Sequence, residues 1–233
     1  MGVVERGNGL SLEEFRSNHL SALRPELAIT ALGPETDSYQ VTLESSTSLC
    51  EADFSDCFDL IQETSGDMYR QSSVGWSASK KRKEMRLPEM RYLLVKSNEQ
   101  QGNVTDTRHQ TSEGTTTKHT GSRAAAAPCV GGFLSFMITY EDGHEVIYCY
   151  ELHLSNSLRR YGLGRKLMWI FEKIGHSVGV EKSMLTVFLD NEVGVKFYER
   201  IGYAEDDYSP APKFLRNGKV KMPSYVILSK SIQ

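Results

Sequence analysis

A short glycine-rich joint, Arg159-Arg160-Tyr161-Gly162-Leu163-Gly164-Arg165, separates two apolar segments of different period. Before it, Val146 to Leu154 reads as a strand. After it, Leu167, Ile170, Phe171 and Ile174 recur at helical spacing, so Leu163 to Val178 is predicted to be a helix. A chain that changes period across such a joint turns sharply from sheet to helix. Small residues there let the backbone approach a ligand and aim successive N–H groups at it, and the helix N-terminus adds about half a positive charge. That combination suits a pyrophosphate. It is not a P-loop, because Gly164 is followed by Arg165-Lys166-Leu167. It is not a dinucleotide fingerprint either, because Lys166 stands where the third Gly belongs. From the spacing alone a plain strand-to-helix turn stays open.

The surrounding segments fix the class. Val130 to Tyr140 is strand-like, and Glu141-Asp142-Gly143-His144 is a hairpin turn by its Asp-Gly. Met184 to Leu189 is a short apolar strand, Asn191 to Ile201 a helix closed by Gly202, and Tyr225 to Leu228 a last strand. Hairpin, helix, strand, helix, strand describes an α/β domain with a mixed, mostly antiparallel sheet flanked by helices. Upstream, Ser11-Leu12-Glu13-Glu14 is a capping box for a helix with Leu12, Phe15, His19 and Leu23 on one face, which Pro25 ends. Tyr39, Val41 and Leu43 alternate as in a strand. Phe54, Phe58 and Ile61 mark a helix expected to bend at Gly66 before Met68-Tyr69, and Arg91 to Lys96 reads as a buried strand. Lys80-Lys81-Arg82-Lys83-Glu84 reads as a solvated helix face.

Composition explains one anomaly. Of 233 residues 39% are hydrophobic, a low share for a chain with so many clear elements. Between Lys96 and Cys129 the sequence collapses into Ser, Thr, Gln, Gly and His, so 97–128 is expected to be a disordered insert joining two strands. The expected organisation is an N-terminal extension over 1–50 packed on a domain over 51–233. A net charge of −3 argues against a globally basic nucleic-acid binder. No apolar run reaches the ~18 residues of a membrane span. The opening has no signal-peptide profile, and Arg6 stands where a myristoylation site wants Ser or Thr. Cys50, Cys57, Cys129 and Cys149 form no CxxC, which fits a reduced, intracellular compartment. No His pairs with Cys or acid at metal-ligand spacing, so no metal is expected.

The Arg-x-x-Gly-x-Gly joint follows a Tyr-rich strand and precedes Asn191 and Phe197-Tyr-Glu-Arg-Ile-Gly-Tyr203. Over Gly132 to Ser229 this pattern resembles the GCN5-related N-acetyltransferase superfamily. The resemblance implies acetyl coenzyme A as co-substrate. Its pyrophosphate would lie on Arg160, Tyr161, Gly162, Leu163, Gly164 and Arg165, its pantetheine along Leu152, His153 and Leu154, and Asn191 would contact it further on. The segments Val146-Ile-Tyr-Cys-Tyr-Glu-Leu152, Met184-Leu-Thr-Val-Phe188 and Ser224-Tyr-Val-Ile-Leu-Ser229 are similar to the N-alpha-acetyltransferase D family, as is Met68-Tyr69 with Gly75-Trp76. That family acetylates the N-terminal Ser of histones H-four and H-two-A.

This likeness implies site roles. Attack of an amine on a thioester needs a neutral amine. An α-amine with pKa near ~8 is neutral roughly a tenth of the time at pH 7, a Lys amine about once in a few thousand. One carboxylate acting through water suffices, and Glu151 is the candidate base; a carboxylate merely hydrogen-bonded at a sheet bulge is the other reading. Tyr198 would protonate the departing thiolate or pack beneath the cofactor. Tyr69, Tyr148, Tyr150, Thr186 and Tyr225 would form the substrate channel. Glu141 would pair with the Arg of a Ser-Gly-Arg-Gly tail. Thr139 stands where the family has a second acid, so Arg recognition would be either weaker or shared with Asp142, Glu145, Glu205, Asp206 or Asp207. His153, between two leucines, reads as structural. The implied partners are histone tails, with no direct nucleic acid and no membrane, for a monomer in nucleus and cytoplasm. A Lys or small-amine acetyltransferase, or a non-catalytic acyl-coenzyme A binding module, are the competing readings.

Overall fold

The computed structural model describes residues 1–32, 37–73, 75–97, 130–214 and 216–232, so the expected insert lies, Ser97 apart, outside the described residues. In chain order the elements are α1 (Val3–Asn8), α2 (Leu12–His19), α3 (Arg24–Leu27), β1 (Ala28–Leu32), β2 (Asp37–Ser45), α4 (Glu51–Gln71), α5 (Ala78–Glu84) and β3 (Arg91–Ser97). There follow β4 (Val130–Glu141), β5 (His144–Leu154), α6 (Leu163–Val178), β6 (Lys182–Phe188), α7 (Glu192–Arg200), β7 (Ala204–Glu205), β8 (Lys213–Phe214), β9 (Val220–Lys221) and β10 (Tyr225–Ser231).

Eight strands form one sheet in the order β1-β2-β3-β4-β5-β6-β10-β7, and β8 pairs with β9 as a separate ribbon. All neighbours in the large sheet are antiparallel except β5 and β6. The expected mixed, mostly antiparallel α/β architecture is the one observed. Strands β1 and β2, from the first fifty residues, form one edge of this sheet. The Asp142-Gly143 turn takes φ of 50° and 86°, the doubly left-handed geometry that suits a two-residue hairpin.

Each face of the sheet buries its own core. One packs Phe15, Phe136, Phe171 and Ile174 beneath α2 and α6; the other packs Phe54, Phe58, Ile61, Tyr92 and Phe133 beneath α4. The capping box of α2 is present, with Ser11 and Glu14 bonded reciprocally. Three local expectations are corrected. Pro25 does not end α2; it sits in the first turn of α3, where its missing N–H costs nothing. Gly66 does not interrupt α4, which runs unbroken over 21 residues because its apolar face is held against the sheet. The basic run is not simply solvated: Lys81 is 8% exposed, and Arg82 lies 3.7 Å over the Phe58 ring.

Two irregularities of β5 create the site. Ser135 pairs with Glu151 and Phe136 with Cys149, so Tyr150 is an extra residue. One extra residue reverses the alternation of side chains beyond it. Tyr148 and Tyr150 therefore share the α4 face with Glu151 and His153, while Leu152 and Leu154 pack with Cys149 on the opposite face. Second, β5 is paired with β6 only from Val146 to Cys149. Beyond that the two strands part, leaving one edge of Tyr150 to Leu154 without a strand partner.

Candidate active site

Where β5 and β6 diverge there is a cavity of about 750 Å³. Leu152, His153 and Leu154 line it from β5, and Arg160, Gly162, Leu163, Gly164 and Arg165 from the joint. Asn191, Phe197 and Tyr198 line it around α7, and Thr64 and Met68 from α4. The joint has the shape its sequence suggests. Arg160 and Gly162 both adopt left-handed backbone, with φ of 70° and 79°, and Gly162 caps the N-terminus of α6. Arg159 donates from Nε to the Leu154 carbonyl at 3.0 Å, tying the joint to the strand end. Three arginines and no acidic side chain line this cavity, so its chemistry suits a polyanionic phosphate group. Tyr161 stands apart. It is 47% exposed and borders an adjoining hollow with Asn156 and Ser157. The Asn191 side chain caps α7, accepting from the Gly194 N–H at 3.0 Å.

His153, on the cavity wall, touches a buried polar cluster centred on Glu151. Glu151 Oε1 accepts from Tyr69 Oη at 2.8 Å and from Lys81 Nζ at 2.7 Å, while Oε2 lies 2.6 Å from His153 Nε2. Lys81 also donates to Tyr69 Oη at 2.9 Å and to Glu84 at 2.6 Å. His153 Nδ1 lies 2.5 Å from Thr64 Oγ1. Burial alone would raise the Glu151 carboxyl. The bond from His153 and the charge of Lys81 overturn that and hold it at about 2, well below its ordinary 4.5. Burial and the neighbouring Glu151 charge push the Tyr69 phenol up, so it stays a neutral donor. A carboxylate has about four lone-pair sites, and three donors leave one for a water or a ligand.

Tyr198 also lines the cavity, and its hydroxyl makes no hydrogen bond among the described residues. Burial, with Cys149 and Glu151 beside it, drives its phenol well above the usual value. Tyr148 Oη is 2.5 Å from Thr186 Oγ1, bridging β5 and β6 where they begin to part, and the Tyr148 and Tyr150 rings are 5.4 Å apart. The Tyr69 ring meets the Phe188 ring edge-on at 5.0 Å, and Tyr225 is the β10 partner of Phe188. Glu141 sits at the hairpin end of β4. Burial and then Asp142 raise its carboxyl, and its charge acts on both Tyr148 and Tyr150. Two acids that the sequence offered beside it are engaged elsewhere. Asp206 pairs with Lys182 at 2.6 Å, and Glu145 accepts from the Val3 N–H at 2.7 Å. Glu205 and Asp207 are exposed. Sequence reasoning missed Lys81 and Thr64. Lys81 is one of four neighbouring cations without a phase to single it out, and Thr64 is a helical Thr among polar residues.

The chain matches the Acetyltransferase (GNAT) family over residues 87–203, half of its length. It belongs to that family. Among relatives of known activity, the GNAT chain is 35% identical over 107 residues to N-alpha-acetyltransferase 40 of Saccharomyces cerevisiae. That match covers 36% of this chain and 35% of the relative, so the chain spans about a third of the length of the curated relative it matches. Two solved structures show the same fold. One is an acetyltransferase of GNAT family from Staphylococcus aureus Mu50 (8% identity, TM-score 0.52), matched over 83% of this chain and 99% of that one. The other is a PaiA N-acetyltransferase from Thermoplasma acidophilum in complex with coenzyme A (16% identity, TM-score 0.51), matched over 83% and 98%.

Proposed function

We propose that this acetyltransferase moves an acetyl group from acetyl coenzyme A to the α-amine of a protein N-terminus, with the first Ser of H-four and H-two-A type histone tails as its substrate. The observation that carries this reading is the setting of Glu151, a buried carboxylate that three donors, Tyr69, Lys81 and His153, hold in its ionised form. Such a group is a weak proton acceptor. An α-amine, neutral roughly a tenth of the time at pH 7, needs little help; a Lys amine, neutral about once in a few thousand, needs much more. The site therefore suits an α-amine. The partial likeness to N-alpha-acetyltransferase 40 points the same way.

Acetyl coenzyme A, when bound, supplies the activated thioester. The N–H groups of the left-handed joint and the start of α6 hold its pyrophosphate, and the unpaired edge of β5 offers backbone groups to the pantetheine arm. The one free lone-pair site of Glu151 receives a water, and through it the amine proton. The pH dependence of Glu151→Gln separates that share of deprotonation from simple positioning. Tyr198, kept neutral by burial, donates from Oη to the sulfur as it leaves. The rings of Tyr69, Tyr148 and Tyr150 wall the approach and exclude bulky first residues, and Glu141 faces the Arg of the tail. The test is acetyl transfer to a Ser-Gly-Arg-Gly peptide beside the same peptide blocked at its α-amine and one carrying Ala in place of Arg. Transfer to the blocked peptide's side chains alone would sink the reading.

A further inference from the structure

His153 is the one imidazole in the buried cluster, and both of its nitrogens are engaged. Nε2 is 2.6 Å from Glu151 Oε2, and Nδ1 is 2.5 Å from Thr64 Oγ1, which in turn lies 2.7 Å from the Leu60 carbonyl. The ring packs 5.5 Å from Phe133, and the residue is 7% exposed, so the imidazole has no room to turn.

These partners leave no hydrogen-bonding group unsatisfied in either charge state. Against an ionised Glu151, Nε2 keeps its proton and donates in both, so proton exchange is confined to Nδ1. In the neutral ring Nδ1 accepts from the Thr64 hydroxyl. In the imidazolium Nδ1–H donates to the Thr64 oxygen, and the hydroxyl proton swings to the Leu60 carbonyl, whose second lone pair lies beside the helical bond. No heavy atom moves, and no buried donor or acceptor is orphaned in either state. A histidine that lacked such a reversible partner would be locked in one state by the cost of the orphaned group.

We propose that His153 is a positioning residue that gains and loses one proton at Nδ1 through the Thr64 hydroxyl, and that its charge switches the Glu151 cluster between a working and an idle form. The proposal rests on the role given to Glu151 above. The facing groups set the sign. Lys81 and Glu84 come from α5, Tyr69 from α4 and Tyr198 from α7, while β4 contributes Phe133 and Ser135, which carry no charge. Burial and Glu151 keep Tyr69 neutral, and burial keeps Tyr198 neutral, so the charges around the ring are Lys81, shared between Glu151 and the partly exposed Glu84, and Arg159, Arg160 and Arg165 on the wall of the same cavity. An imidazolium adds one positive charge against Glu151, at the cavity wall. That charge holds Glu151 more firmly in its ionised form and makes it a weaker acceptor for the amine proton. The neutral ring is therefore the working form. The proton comes from solvent and returns to it through the cavity that His153 and Thr64 both line.

Two readouts on the full chain test this. In the first, the ring signals of His153 are followed by NMR from pH 5 to 8 without peptide. They titrate in the unaltered protein. Glu151→Gln lowers the midpoint, because the imidazolium loses its anion. Thr64→Val lowers it as well, since the charge-assisted bond to the cation is the stronger of the two that Thr64 makes, and Thr64→Ser preserves it. Ring signals that stay constant over this range, or an unchanged midpoint in Glu151→Gln, would overturn the proposal. In the second, log kcat/KM on a Ser-Gly-Arg-Gly peptide falls at the acid end with a slope of about two, one proton from the amine and one from His153. In His153→Gln, which still donates to Glu151 but does not titrate, the slope is about one; an equal slope in both proteins would overturn the switch. The NMR readout needs no substrate, so it stands whether or not N-terminal acetylation does.

Discussion

Lys81 Nζ lies 2.7 Å from Glu151 Oε1, with the two side chains 8% and 6% exposed. The contact joins α5 to the bulge of β5 across 70 residues of chain. Taking a lysine and a glutamate out of water is costly, and the pair repays this only while both members and their hydrogen bonds are present. Lys81→Met leaves Glu151 buried with one charge partner gone and is expected to cost about 3–5 kcal/mol in urea unfolding. Adding Glu151→Gln to it should return a large part of that loss, because the uncompensated charge disappears. Strictly additive losses in the double variant would mean that the two groups do not interact.

The same cluster sets an acid limit on stability. The folded Glu151 carboxyl stands at about 2, below its ordinary 4.5. A depressed carboxylate contributes stability that is complete above the unfolded pKa and is lost as pH falls through the folded one. The contribution, of order 3 kcal/mol, therefore fades between about pH 4.5 and pH 2. Glu151→Gln lacks it, so the stability difference between the two proteins should shrink over that window. A difference independent of pH from 5 to 2.5 would contradict the assignment.

Much of this arrangement was legible in local pattern, and the rest was not for identifiable reasons. Leu163–Val178 is the helix its apolar spacing predicts, to the residue, because a strong 3.6 period is bounded by glycines on both sides. The bulge at Tyr150 is different. A sheet bulge is only the other reading of Glu151 in the sequence, and its place at Tyr150 is a property of register between β4 and β5 that local pattern does not fix. Without it, strict alternation would put Glu151 with Cys149, away from Tyr69 and Lys81. The Glu151 cluster was thus half visible: the acid and Tyr69 through a family likeness, Lys81 and Thr64 not at all. A run of four cations carries no periodicity, so burial of one of them depends on what α5 packs against. The ribbon of β8 and β9 has two residues in each strand, too few to show alternation.

Substitution at the joint should act on the cofactor before it acts on the fold. A Cβ at Gly164 would meet Phe197 at 3.5 Å and Leu154 at 3.8 Å, both ordinary contacts. The backbone there tolerates alanine, but the methyl groups of valine would project among cavity-lining side chains. Gly164→Val is expected to weaken coenzyme A binding about tenfold or more, with thermal unfolding little changed. Calorimetry that finds full affinity would remove the joint from the binding site.

The segment absent from the described residues has ends that meet. Lys96 of β3 pairs directly with Val130 of β4, so the chain leaves and re-enters the sheet at neighbouring positions. A handful of residues can close that gap, and loop length adds little entropic cost once the ends are fixed. Replacing 98–129 with a short Gly/Ser linker should keep the unfolding midpoint within a few degrees and peptide turnover within a few-fold. Loss of turnover with the fold retained would place part of that segment at the substrate.

Replacing Glu151 itself decides what the carboxylate does during transfer. Glu151→Gln keeps the size of the side chain and an oxygen for Tyr69 and Lys81, but removes the charge. General-base catalysis is worth roughly 10²–10⁴ in rate. A carboxylate held low by its donors gives only the lower part of that range, so a fall in kcat of about 10²-fold is expected, with peptide KM moving much less. The pH dependence separates the contributions. Proton acceptance matters less as pH approaches 9, where most α-amine is already neutral, whereas positioning by charge matters equally at every pH. Glu151 takes the amine proton through its water, so the deficit should shrink as pH rises toward 9, and the part that persists there measures positioning by the three donors. A deficit that stays constant across pH would mean that Glu151 only positions the substrate, and an undiminished kcat at pH 7 would move the chemistry to another residue.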